Sequence, residues 1–147
     1  MTRLREQRVA AASAFAAFLF LGAAACSEPA NPVTAPSAID VSTFVFTGTL
    51  AVGGEKFYSF TVSNDGTIQA MLASLTAGGT AVPTARVQFA LGVPAGTGCR
   101  PLTAITAAPA LVPQLTSNLA EGIYCVSVTD TGTLTRDMNF AIRVMHP

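Results

Sequence analysis

From Val41 to the C-terminus, apolar side chains fall at every second position in one segment after another, with no helical spacing of three or four. Successive side chains of a strand point to opposite faces, so each segment builds one apolar face that must be covered by another sheet. Phe44 and Phe46 alternate with Thr43, Val45 and Thr47. Tyr58, Phe60 and Val62 alternate with Ser59 and Thr61, and Ile68, Ala70 and Leu72 share a face. Val87, Phe89 and Leu91 form a further row. In EGIYCVSVTD, Tyr124, Val126 and Val128 oppose Ile123, Cys125 and Ser127, so one face builds core and the other presents a thiol. The last segment sets Met138, Phe140, Ile142 and Val144 against Asn139, Ala141, Arg143 and Met145. The expected fold is all-β: an antiparallel, jelly-roll-like β-sandwich of six or seven strands.

Turn chemistry divides the segments. Gly53 and Gly54 mark the first turn, and Asp65-Gly66 in SNDG predicts a tight hairpin. TAGGTAVP reads as a loop. From about Val93 to Pro113 the prolines at 94, 101, 109 and 113 predict a long irregular segment that needs tying down, with a short strand or edge segment around Leu111–Leu115. TSNLAEG reads as a turn. TDTGTLTRD is of hairpin length and predicts that the closing strand pairs with the Cys125 strand.

The first forty residues differ in kind. Residues 1–8 are basic, residues 9–25 are an apolar run rich in alanine, and small residues lead into Cys26. Basic, apolar, small is the order of an export signal, and the run is short for a spanning helix. Ala23, Ala24, Ala25 and Cys26 resemble a bacterial lipobox, although Ala23 stands where leucine is commoner. The resemblance implies that Cys26 carries a diacylglycerol and becomes the N-terminus after cleavage, and several acyl chains give lasting anchorage. Cleavage by an ordinary signal peptidase would instead leave a soluble protein with a free cysteine. Ser27 follows, and by analogy with Gram-negative lipoproteins this permits the outer membrane, on its periplasmic or surface side. Pro29, Pro32 and Pro36 make residues 26–40 a disordered, extended tether. The expected organisation is a helical lipoprotein signal peptide over 1–25, a lipid-anchored linker over 26–40 and a sandwich over 41–147.

With Cys26 committed to lipid, Cys99 and Cys125 remain, and in an oxidising compartment such a pair is expected to form a disulfide. That bridge would pin the proline-rich segment onto the outward face of the sheet. A metal site would need more ligands, since His146 is the one histidine, and there is no CxxC for a redox pair. Past the leader, Lys56, Arg86, Arg100, Arg136 and Arg143 face seven carboxylates. This mildly acidic balance has no basic stripe, which argues against a nucleic-acid partner.

FTGTLAVGGEKFYSFTV, then NDGTIQAMLASL, then LAEGIYCVSVTDTG and a closing FAIRV resemble the bacterial pre-peptidase C-terminal domain over about residues 42–145. Phe46, Gly48 and Leu50 stand for its Phe–Gly–x–Leu opening, Tyr58 and Phe60 for its Tyr–x–Phe strand, and Gly122 and Tyr124 for its Gly–x–Tyr strand. The resemblance implies a small sandwich with an accessory or binding role beside exported proteins. No catalytic domain precedes it and the Asp-rich middle of many members is absent. The cysteine pair is closer to bacterial lipoproteins ending in a similar GxYCV…D…HP pattern. No catalytic residue carries over.

Residue chemistry agrees with a non-enzymatic reading. His146 sits one residue from the end and reads as a frayed terminal side chain. No GxSxG, HExxH or P-loop occurs. Asp130 and Asp137 read as turn caps rather than a glycosidase pair, and with Asp65 or Glu121 they lack the dense D-x-D spacing of a calcium loop. Tryptophan is absent and both tyrosines face inward, which leaves Phe57 as the outward aromatic and makes a sugar platform weak. The expectation is an exported lipoprotein without cofactor or metal, presenting a disulfide-pinned sandwich as a binding or envelope-interaction module. The membrane is its one predictable partner, and the ligand-binding residues are unassigned. The alternative is a polysaccharide- or peptide-binding accessory domain beside a separate secreted enzyme.

Overall fold

The computed structural model describes residues 40–147. The expected signal peptide, Cys26 and the expected tether up to residue 39 lie outside the described residues. Nine strands follow in order: β1 Ser42–Leu50, β2 Glu55–Val62, β3 Gly66–Ala77, β4 Thr80–Ala81, β5 Val87–Ala95, β6 Gly98–Ala107, β7 Leu115–Leu119, β8 Gly122–Thr129 and β9 Met138–His146. No helix occurs among the described residues. The strands form two antiparallel sheets. In the first, β1, β9 and β3 lie side by side, and β7 and the two-residue β4 both pair with the far edge of β3. In the second the order is β2-β8-β5-β6. With β4 set aside, two four-stranded sheets share the chain in the wrapping order of a jelly roll.

The alternation places the core where the sequence predicts it. Leu50, Phe60, Val62, Ile68, Leu72, Phe89, Leu91, Val126, Val128, Phe140, Ile142 and Val144 are all buried between the sheets. Burying one such side chain is worth about 1.5–3 kcal/mol, so this shared interior is the main favourable term. A bulge between Leu72 and Ser74 shifts the parity of β3. Leu72 and Leu75 therefore both point inward three residues apart, while Ser74 turns to the outside.

Four connections depart from expectation. Asp65-Gly66 joins β2 to β3, which lie in different sheets, so it is a crossing and not a hairpin. The Asp65 carboxylate accepts the Glu121 amide at 2.8 Å and so ties this crossing to the one between β7 and β8. Likewise β8 and β9 do not pair: β9 lies between β1 and β3, and β8 between β2 and β5. Length alone is ambiguous, because eight residues turn a hairpin or cross a sandwich equally well. Conversely, the expected loop at TAGGTAVP holds a tight hairpin, with Gly78 and Gly79 at φ 56° and 81° between Thr76–Ala77 and Thr80–Ala81. The largest departure is the proline-rich segment: Val93–Ala95 extends β5, and Gly98–Ala107 forms β6 paired along it. Pro101 fits there because β6 is an edge strand, where a missing N–H costs no ladder bond. The irregular part shrinks to residues 108–114, and TSNL, expected as a turn, lies in β7.

Candidate functional site

The two cysteines of the domain are joined, Cys99 at the start of β6 and Cys125 in β8. Both strands neighbour β5, so a flat sheet would hold them about 9.6 Å apart. Their Cα atoms are 5.9 Å apart. The closure comes from Gly92. A register shift falls between Leu91 and Gly92, and a Cβ on Gly92 would lie 2.1 Å from the Arg100 carbonyl oxygen. Without that Cβ, β6 curls over the outer face of β5 and carries Cys99 to Cys125. The bridge therefore pins a curled edge strand, not an irregular loop, onto the outer face where alternation sets the Cys125 thiol.

On the opposite flank, where β1 of one sheet faces β2 of the other, rings close the gap. Phe46 stacks on Tyr58 at 4.9 Å between centroids, Phe44 lies 6.1 Å from Phe60, and the Tyr58 hydroxyl donates to the Thr47 carbonyl at 2.7 Å. His146 belongs to this row. It is 4% exposed, continues the inward parity of β9, and stacks on Phe44 at 5.1 Å. It is thus a core ring and not a frayed terminal side chain. Its Nδ1 lies 2.8 Å from the Pro147 carbonyl and its Nε2 has no partner among the described residues. No hydroxyl and no side-chain carboxylate is hydrogen-bonded to it among the described residues. Tyr124 donates to the Ala120 carbonyl four residues upstream at 3.0 Å, a tyrosine-corner arrangement that fixes the entry into β8. Phe57 is half-buried on edge strand β2, opposite Ser127.

The acidic pair caps turns, as the sequence predicts. Asp130 accepts from the amides of Gly53 at 2.8 Å, Gly132 at 2.9 Å, Thr133 at 2.8 Å and Leu134 at 3.1 Å. The Gly53 bond is the largest influence on its acidity. Desolvation opposes it, the other three amides reinforce it, and the pKa falls from 3.8 to about 2. Unlike a solvated cap, the residue is only 6% exposed. Asp137 accepts the Val52 amide at 3.1 Å, so both carboxylates grip the β1–β2 turn. With those lone pairs engaged, the two acids hold backbone. No cluster of three or more His, Cys, Asp or Glu suited to a metal ion occurs among the described residues.

Two recesses open on the first sheet. A shallow trough of about 410 Å³ crosses the outer face of β1, β9 and β3, lined by Thr47, Thr49, Ser74, Thr76 and Asn139. Thr49 donates to the Asn139 side-chain oxygen at 2.7 Å, and no charged side chain lines the trough. Alternation sends Thr47, Thr49 and Asn139 outward, but the β3 bulge is needed to bring Ser74 and Thr76 among them, and that bulge is not legible in the sequence. The second recess, about 390 Å³, lies beside the start of β1, between Val41, Asp65, Gln69, Met145 and Pro147. Cys26 lies outside the described residues. No family model and no curated protein matches the chain. Of what the resemblance to the pre-peptidase C-terminal domain implies, the two-sheet sandwich is present.

Proposed function

We propose that the chain is an exported lipoprotein, anchored through Cys26 to a bacterial envelope membrane, whose sandwich serves as a non-enzymatic binding or envelope-interaction module. The observation that carries this reading is the Cys99–Cys125 bridge. Disulfides persist in oxidising compartments outside the cytoplasm, which agrees with the basic–apolar–small leader. The bridge also uses both cysteines of the domain, so the remaining one is Cys26, at the point where a lipobox places its acylated residue. Ser27 after it permits the outer membrane. The likeness to the pre-peptidase C-terminal domain supports an accessory role.

Metabolic labelling with a palmitate analogue tests the anchor. Wild-type chain is expected to carry the label and sediment with membranes, and Cys26→Ala to lose both. Label on Cys26→Ala would overturn the assignment.

The trough favours a second reading, binding of a hydroxyl-rich polysaccharide. Its lining supplies hydroxyl and amide groups that donate and accept without charge. Glycan-array binding that disappears in Asn139→Ala would support this, and arrays without a competed signal would remove it.

A further inference from the structure

The connection from β6 to β7, residues 108–114, combines two properties that seldom occur together. Its feet are fixed. The Ala110 amide donates to the Leu72 carbonyl and the Gln114 amide to the Ala70 carbonyl, each at 2.9 Å. The Gln114 side chain then acts as a missing strand: its Oε1 accepts the Leu72 amide at 2.7 Å and its Nε2 donates to the Ala108 carbonyl. Held this way, the connection nevertheless turns its two largest apolar side chains to the outside. Leu111 is 86% exposed and Val112 is 64% exposed, between Pro109 and Pro113.

Such a tip is built to lose water cheaply. None of the residues 108–114 is charged. Pro109 and Pro113 have no N–H, and the amides of Ala110 and Gln114 are already bonded to β3. Few backbone donors remain to be desolvated when the tip enters an apolar phase. Because its conformation is set beforehand, little chain entropy is lost on contact.

We propose that Leu111 and Val112 enter the interfacial layer of the membrane to which the chain is tethered. This rests on the lipidation reading, which supplies the proximity. The fourteen residues from Ser27 to Asp40 span at most about 50 Å. The tip borders β7, which lies three strand spacings, about 14 Å, from β1, where the tether ends. The nearest apolar phase is therefore within reach without leaving the anchor, and a tip too small to hold a soluble protein on a bilayer suffices to orient a tethered one.

Tryptophan is absent from the chain, so Leu111→Trp introduces a single indole reporter. The full-length lipidated variant would be reconstituted in phosphatidylethanolamine–phosphatidylglycerol vesicles, with and without brominated acyl chains. Emission is expected to shift to the blue and to be quenched at least about twofold by bromine. Val52→Trp, in the turn of the opposite flank, is expected to stay unquenched. A palmitate-labelled Leu111→Trp protein whose emission ignores bromine overturns the tip while leaving the anchor standing. An unlabelled protein overturns the anchor and this inference with it. A blue shift that grows with protein concentration and ignores bromine means that another protein surface covers the tip, and also overturns the proposal.

Discussion

The two flanks of the sandwich are closed by different means. Where β1 faces β2, side chains do the closing: Phe44, Phe46, Tyr58, Phe60 and His146 stack between the sheets, and Asp130 and Asp137 clasp the turn at the end. Where β6 leads to β7, backbone and one amide side chain do it, through Ala110 and Gln114 on β3. The first flank buries Phe60 and His146 under its ring row, with Phe44 at the rim, whereas the second leaves Leu111 86% and Val112 64% exposed. A flank closed by rings gains stability from burial. A flank closed by hydrogen bonds leaves its apolar side chains free for something else.

Substitution should separate the two. Phe60→Ala empties the middle of the ring row and is expected to cost about 3–5 kcal/mol in a denaturant melt. Leu111→Ser combined with Val112→Ser is expected to change stability by less than about 0.5 kcal/mol, because nothing is uncovered. Comparable losses in the two proteins would mean that the second flank is also core, and the contrast would collapse.

The bridge ranks next. Cys99→Ala with Cys125→Ala opens a loop whose ends are 26 residues apart, and the chain-entropy model puts the loss at about 3–4 kcal/mol. Gly92→Ala sharpens the point from the backbone side. Its Cβ would collide with the Arg100 carbonyl, so β6 should fail to curl and free thiol should appear in a titration of the purified protein. A fully oxidised, stable Gly92→Ala protein would show that the curl does not depend on that missing atom.

Legibility follows the same physical division. Burial is written in alternation, so the inward rows of β1, β2, β5, β8 and β9, and of β3 as far as Leu72, are legible residue by residue, as is the outward parity of Cys125. Pairing partners are not written there. Asp65-Gly66 carries hairpin chemistry yet crosses between sheets, because a turn dipeptide specifies local φ and ψ and not which sheet receives the next strand. Prolines point the other way: Pro94 and Pro101 suggest a loop, but Pro101 lies in edge strand β6 and Pro94 at the end of β5, past the residues that pair with β8. Nearness to a terminus says little about burial: the parity of β9 runs to the end and carries His146 into the ring row. The exposed tip is not legible either: Leu111 and Val112 fall where a short strand or edge segment is expected, but the strand begins only at Leu115 and the Gln114 amide takes a strand's place before it.

Gln114 itself offers a smaller effect that bears on the second flank alone. Gln114→Ala leaves the Leu72 amide without its acceptor in a half-buried setting, at a cost of about 1–3 kcal/mol. Hydrogen exchange should locate the change: protection at Leu72 falls, while the β1–β9 ladder is unaffected. Uniform loss of protection would mean that the two flanks are not independent.

The first flank has a pH signature that the second lacks. The folded-state pKa of Asp130 lies near 2, against an ordinary 3.8, so the unfolded chain takes up the proton first as acid is added. Its contribution is therefore complete above the unfolded value and declines as pH drops through 3.8 toward about 2. Asp130→Asn removes the charge and sets an amide N–H against the Gly53 N–H. Its melting temperature should lie below wild type at neutral pH, and the two curves should converge as pH approaches 2. Parallel curves over that interval would mean that the Asp130 charge is no part of what holds the β1–β2 turn, leaving the ring row and Asp137 to close that flank.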